Sequence, residues 1–236
     1  MLKKIADRKS AEKAYKEGTD YQFNTREMKL GPWTSYSLLN DPKHMCFVLA
    51  RYKFCAKMLE GKKAVIEIGS GDGFGLPIIA QAVQKVYAVD WDKRLLMGNA
   101  ARLKHLKNVE YLHVDLNKNS PEVTADAAFL IDVIEHLEPK TEKVFLGNIV
   151  KCLKPGGVMI IGKPNLTASR HATPRSRVQH INLKSMASLR ALMGKYFENV
   201  FMFGMNDEVV HTGYAPMCHY IWAVGAGLRR EGRSGL

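Results

Sequence analysis

The residues best placed to do chemistry form one run, Glu67-Ile68-Gly69-Ser70-Gly71-Asp72-Gly73-Phe74-Gly75. Glycines that follow an apolar stretch let a ligand lie against bare backbone. The dinucleotide pattern GxGxxG fails here, because the sixth position is Phe74 counted from Gly69 and Leu76 counted from Gly71. The loop reads GxGxG, with the acid Glu67 two residues before its first glycine. A tight turn by itself can produce such a loop. Its surroundings point to a ligand. Asp90 ends the next apolar run, 21 residues after Gly69, where a carboxylate can accept both hydroxyl protons of a ribose. Trp91 follows and offers a ring to an adenine face. Asp115 comes after the third run, where it could take a hydrogen bond from an adenine amino group, and Asp132 comes after the fourth. Any one of these acids reads equally as a helix N-cap or a solvated loop residue. The series of them at successive run ends does not.

A second group could handle protons and anions. Glu135 and His136 stand just past Asp132. An imidazole is a base near neutral pH; the other reading is that the pair caps or orients its loop. Lys163, Asn165, Arg170, His171, Arg175, Arg177 and His180 make a cationic stretch with little apolar content. Guanidinium forks match phosphates and carboxylates. The stretch therefore reads as a lid over an anionic ligand or as a solvated loop. The late residues His211, Tyr214, His219 and Tyr220 match no metal-ligand spacing, and no metal is expected.

These residues need elements to hold them. Ala64–Ile68, Val86–Val89, Val109–Val114, Ala127–Ile131 and Val158–Ile161 read as strands, with helical stretches at 76–84, 93–105 and 140–153 between them. Strands alternating with helices predict an α/β protein: a Rossmann-like three-layer sandwich around a mostly parallel sheet. A helix over 184–195 precedes two further runs, Asn199–Met205 and Cys218–Val224, which predict an antiparallel pair with a reversed strand at one edge. Upstream, Asp41 as N-cap and Pro42 as first residue open a helix that Gly61 ends. Residues 1–40 read as a short helix and a loop. Within them Pro32-Trp33-Thr34-Ser35-Tyr36, together with His44, could close over a ligand, with core packing as the other reading of Trp33.

Taken together, EIGSGDG at 67–73, Asp90, Asp132-Val133-Ile134-Glu135-His136-Leu137 and Leu153-Lys154-Pro155-Gly156-Gly157 resemble the class I S-adenosylmethionine-dependent methyltransferases. Lys163-Pro164-Asn165 and His180-Ile181-Asn182 are similar to the small-molecule enzymes among them, such as ubiquinone-biosynthesis O-methyltransferases. The resemblance covers roughly residues 60–225. It implies a seven-stranded sheet with an antiparallel last strand, and S-adenosylmethionine as cofactor. It further implies that Gly69, Gly71 and Gly73 approach the cofactor's amino-acid part, with Glu67 just before them, and that Asp90 and Trp91 serve the ribose and adenine. Asp115 and Leu116 would sit by the adenine, and Asp132 and Val133 would line the methionine side. Asp72 would shape the loop rather than touch ligand.

Methyl transfer is an in-line displacement in which the protein mainly positions the nucleophile. An oxygen acceptor needs a general base where a neutral amine does not. The candidates are His136, His180 and Glu135, with Lys163, Asn165, Arg170, His171, Arg175 and Arg177 for the acceptor.

The chain has 236 residues, four cysteines without a CxxC pair and a net charge of +12. Its length suits one domain with an extension. The expected division is a helical cap over 1–60, a catalytic domain over 61–228 and a flexible tail over 229–236. No apolar run suggests a membrane span, and the cysteines read as reduced thiols of a cytoplasmic protein. The net charge is +7 over residues 1–63, −1 over 64–162 and +6 over 163–236. With the surplus in the flanks, the leading expectation is methylation of an O or N atom on a small, anionic biosynthetic intermediate. RNA or DNA methylation is the alternative, and a non-catalytic cofactor-binding protein the third. Oligomeric state is not legible.

Overall fold

Short runs rich in valine, isoleucine and alanine form the strands, because side chains buried on both faces leave no polar alternation. The computed structural model describes residues 2–23, 25 and 27–229. Three helices come first: α1 (Leu2–Phe23), α2 (Pro32–Asn40) and α3 (Pro42–Leu59). Then β1 (Val65–Ile68), α4 (Leu76–Ala82), β2 (Val86–Asp90), α5 (Lys93–Arg102), β3 (Val109–His113) and β4 (Ala125–Ile131) alternate. After them come α6 (Glu142–Val150), β5 (Leu153–Pro164), α7 (Pro174–Gln179), α8 (Met186–Met193), β6 (Phe197–Asn206), β7 (Val209–His211) and β8 (Tyr220–Leu228).

The eight strands form one sheet in the order β3-β2-β1-β4-β5-β8-β6-β7. From β3 through β5 all neighbours are parallel. The last strand, β8, is antiparallel to both β5 and β6. It therefore runs reversed inside the sheet, not at its edge as the sequence suggested. An eighth strand, β7, is added by a hairpin with β6. Three residues are too few to show a period, so this strand was not readable.

Residues of successive strands alternate between two cores. Ile66, Ala128, Leu130, Met159 and Ile161 face Phe145, Leu146 and Leu189 of α6 and α8. Val65, Ala127, Phe129 and Ile160 face Tyr52, Cys55 and Leu59 of α3 and Ile79 of α4. The expected N-terminal extension thus supplies α3 to the sheet's own packing. Asp41 holds the N-cap position of α3 but its side chain makes no cap hydrogen bond. The expected loop before it is the helix α2. The tail does not loosen at Arg229, whose backbone N–H reaches Tyr196 O at 2.9 Å and whose Nε reaches Gly194 O at 2.9 Å; 230–236 lie outside the described residues. All four cysteines are free thiols, three of them buried. No helix among the described residues is long and apolar enough to cross a membrane.

Candidate active site

The sheet order reverses direction at β1, which lies between β2 and β4. At such a switch point the loops leaving the carboxyl ends diverge and open a crevice. The glycine loop leaves β1 there and Asp132 leaves β4. Gly69, Gly71 and Gly73 have φ of 71°, 53° and 74°, a left-handed backbone that side chains resist. Space also excludes side chains: a Cβ on Gly71 would lie 2.8 Å from the Trp33 ring, and one on Gly69 2.6 Å from Val133.

Asp90 is buried at the end of β2. Its two oxygens accept the N–H of Gly71 and that of Asp92, each at 2.9 Å. Burial, the largest influence, raises its pKa while those N–H groups hold it down. A carboxylate has about four acceptor positions, so it can still take ribose hydroxyls. Beside it Trp91 is 70% exposed, an uncovered ring at the crevice edge. A cavity of about 190 Å3 lies between the loop and the N-terminal helices, lined by Trp33, Ser37, Met45, Gly69, Ser70 and Asp132 among others. A bare-backbone cradle, an acid at the β2 end and a free ring fit S-adenosylmethionine. Glu67 lies beneath the loop rather than in it, accepting the Tyr52 hydroxyl at 2.7 Å. Burial pushes its pKa to about 8. Asp115 is half-buried in a turn held by Asn117 N–H and Lys118, and Leu116 is buried with its carbonyl bound by Asn148.

A family described as a methyltransferase domain matches residues 66–159. Residues 66–159 thus form a methyltransferase domain of the S-adenosylmethionine-dependent kind. It is 29% identical over 107 residues to a protein of Mycolicibacterium smegmatis named "Probable S-adenosylmethionine-dependent methyltransferase", covering 43% of this chain and 38% of that one. It is 24% identical to the tRNA N(3)-methylcytidine methyltransferase trm140 of Schizosaccharomyces pombe, covering 65% of this chain and 54% of that one. The chain thus spans about two fifths to half the length of these curated relatives. The fold is also that of the N-methyltransferase NodS from Bradyrhizobium japonicum WM9, solved with S-adenosyl-L-homocysteine, at a TM-score of 0.59 and 16% identity over 82% of this chain and 92% of that one.

Within the methyltransferase domain, Asp132 has φ 56° without being glycine, a conformation costing about 1–3 kcal/mol. Arg51 of α3 holds it through an ion pair at 2.5 Å. The guanidinium is itself buried and lies 4.0 Å over the Tyr220 ring. Sequence reading missed Arg51, which stands between Val48 and Cys55 on an apolar helical stripe. His44 and His219 flank Phe47 at ring distances of 6.4 and 6.1 Å; burial, then Arg51, lowers both imidazoles' pKa values.

The three candidate catalytic residues come together. One acceptor or donor atom each of Glu135, His136 and His180 lies within 4.8 Å of the others. The two imidazole centroids are 5.1 Å apart. His136 Nδ1 meets the Gln179 carbonyl at 3.1 Å, an acceptor that makes Nδ1 the protonated nitrogen and frees Nε2. Burial, then His136, lowers the pKa of His180, favouring its proton-accepting form. Glu135 is fully buried, and neither carboxylate oxygen has a hydrogen-bond partner. Burial pushes its carboxyl up and the Lys163 ammonium down, and their mutual attraction opposes both shifts. No metal was expected from the spacing of the histidines. This trio, the one such group among the described residues, could nonetheless hold a divalent cation.

The expected acceptor-binding residues divide. Lys163 is buried and donates to Asn182 O at 2.7 Å. Asn165 Nδ2 donates to the carbonyls of Ala215 and Cys218. Arg177 donates to Ala172 O and Arg170 O. These three spend donors on backbone carbonyls, because carbonyls left over where the chain turns need partners. Arg170 pairs with His171, and Arg175 lies over the Tyr36 ring at 5.5 Å. All three are exposed.

Proposed function

We propose that the chain is a working methyltransferase that moves the S-adenosylmethionine methyl to an oxygen or nitrogen of a small, anionic biosynthetic intermediate. The convergence of Glu135, His136 and His180 beside Asp132 carries this reading. The cofactor supplies an electrophilic methyl on a sulfonium. Transfer of that methyl would leave the carbon–sulfur electron pair on sulfur, and His136 or His180 would take the acceptor's proton on its imidazole. Arg170 and Arg175 supply cations for the acceptor's anionic group, with His171 accepting a hydrogen bond from Arg170 beside them, and His44 lines the cavity. In a variant of the same reading Glu135, His136 and His180 would hold a divalent cation, which would supply positive charge to the acceptor. Methylation of RNA is the second reading, favoured by the tRNA-modifying relative and by the net charge of +12.

A turnover assay tests this with methyl-labelled cofactor, a panel of anionic hydroxy and amino metabolites, and total RNA, each with and without chelator. Label on a small acid supports the proposal, and label on RNA alone overturns its acceptor half. His136→Ala and His180→Ala should each lower kcat by roughly 10²–10⁴, the usual weight of a general base, with cofactor affinity unchanged.

A further inference from the structure

One acid of the glycine loop turns away from the cradle. Both oxygens of Asp72 are engaged by a single residue of α2: Thr34 N–H donates to one at 2.7 Å and Thr34 Oγ1 to the other at 3.0 Å. Asp72 and Thr34 are 8% and 5% exposed, so water does not compete for these bonds. The helix needs this partner. Its N-cap, Gly31, makes no side-chain cap hydrogen bond, and the first N–H groups of a helix otherwise lack acceptors. Asp72 caps α2 from 38 residues away and adds a negative charge at the positive end of the helix. Trp33, beside Thr34, lies over Gly71. Further along, Tyr36 meets Arg175. α2 therefore touches both the glycine loop and the 163–180 stretch, and covers the cavity that it forms with α3 and the loop. Trp33, Thr34 and Ser37 of α2 line that cavity of about 190 Å3, so α2 forms part of the wall around a ligand held there.

We infer that Asp72 is a positioning residue: it fastens α2 over the bound S-adenosylmethionine through Thr34, and so sets how long the cofactor stays. The inference rests on the placement of the cofactor in this cavity. Gly31 offers a way to break the latch from the helix side, with the loop's own sequence unchanged. Its φ of −72° suits any residue, but a Cβ there would lie 2.4 Å from the Asp72 carboxylate.

The test uses the full chain, labelled S-adenosylmethionine and an unlabelled chase. Asp72→Ala and Gly31→Ala should each speed release by about five- to tenfold, in line with a lost N-cap, and raise the cofactor KM with little change in the acceptor KM. Asp72→Asn, which keeps one acceptor oxygen, should fall between. The Thr34 amide should exchange faster with solvent in both alanine variants, and the double variant should be no faster than either single one. Wild-type release in Gly31→Ala overturns the inference, whether or not Asp72→Ala is fast, because Asp72 would then act within its own loop. A wild-type chain that retains no cofactor counts instead against the placement of the cofactor.

Discussion

Asp90 and Asp132 are both acids at strand ends, yet their surroundings differ. Asp90 is buried and keeps acceptor capacity, so Asp90→Ala should weaken S-adenosylmethionine binding by roughly 10- to 100-fold, the weight of a hydrogen bond to a charged group. Calorimetry that finds unchanged affinity would remove Asp90 from the ribose site. Asp132 is committed to Arg51. Breaking a buried ion pair costs about 3–5 kcal/mol. The Asp132 side chain is 33% exposed and partly screened, so Arg51→Ala should cost about 2 kcal/mol. Urea unfolding of Arg51→Ala, Asp132→Ala and the double variant isolates the pair term. The acids at 90 and 132 were legible because each ends an apolar run. Arg51 was not, because a cation inside a helical stripe looks like a registry break until its partner is placed.

At the scale of elements, α3 is fastened to β1 by Tyr52 and Glu67, whose hydrogen bond is fully buried. The Glu67 pKa, raised by burial to about 8 from an ordinary 4.5, gives this contact a pH dependence. Between those values the folded chain binds a proton that the unfolded chain has lost. Stability is therefore greatest below about 4.5 as far as this group is concerned, and it falls as pH rises toward about 8. Glu67→Gln should flatten that fall, whose slope is at most about 1.4 kcal/mol per pH unit. Denaturation midpoints across this range in both forms measure it; parallel curves would show that Glu67 ionises normally. Most strands and helices were legible to within a few residues. α2 was not, because Gly31 and Pro32 look like a loop and Trp33, Thr34, Ser35 and Tyr36 are mediocre helix formers. Its missing signal is the cap, which lies in another element.

For the whole molecule, the distribution of charge separates the two acceptor readings. A protein neutralising several phosphates loses roughly 10³–10⁵ in affinity between 50 and 200 mM salt. A small acceptor held by Arg170 and Arg175 should show a KM that rises only a few-fold over the same range. The steeper dependence, measured with RNA, would favour the second reading.

The sequence by itself determined the α/β class, the glycine loop, the acid at the end of β2 and the pairing of the last two long strands. All are local consequences of backbone freedom, apolar runs and turn chemistry. Only the tertiary structure decided three other features: β8 lies between β5 and β6, Asp72 serves α2, and His180 joins Glu135 and His136 across more than forty residues. These depend on how elements distant in the chain pack together, and no spacing along the chain encodes that distance in space.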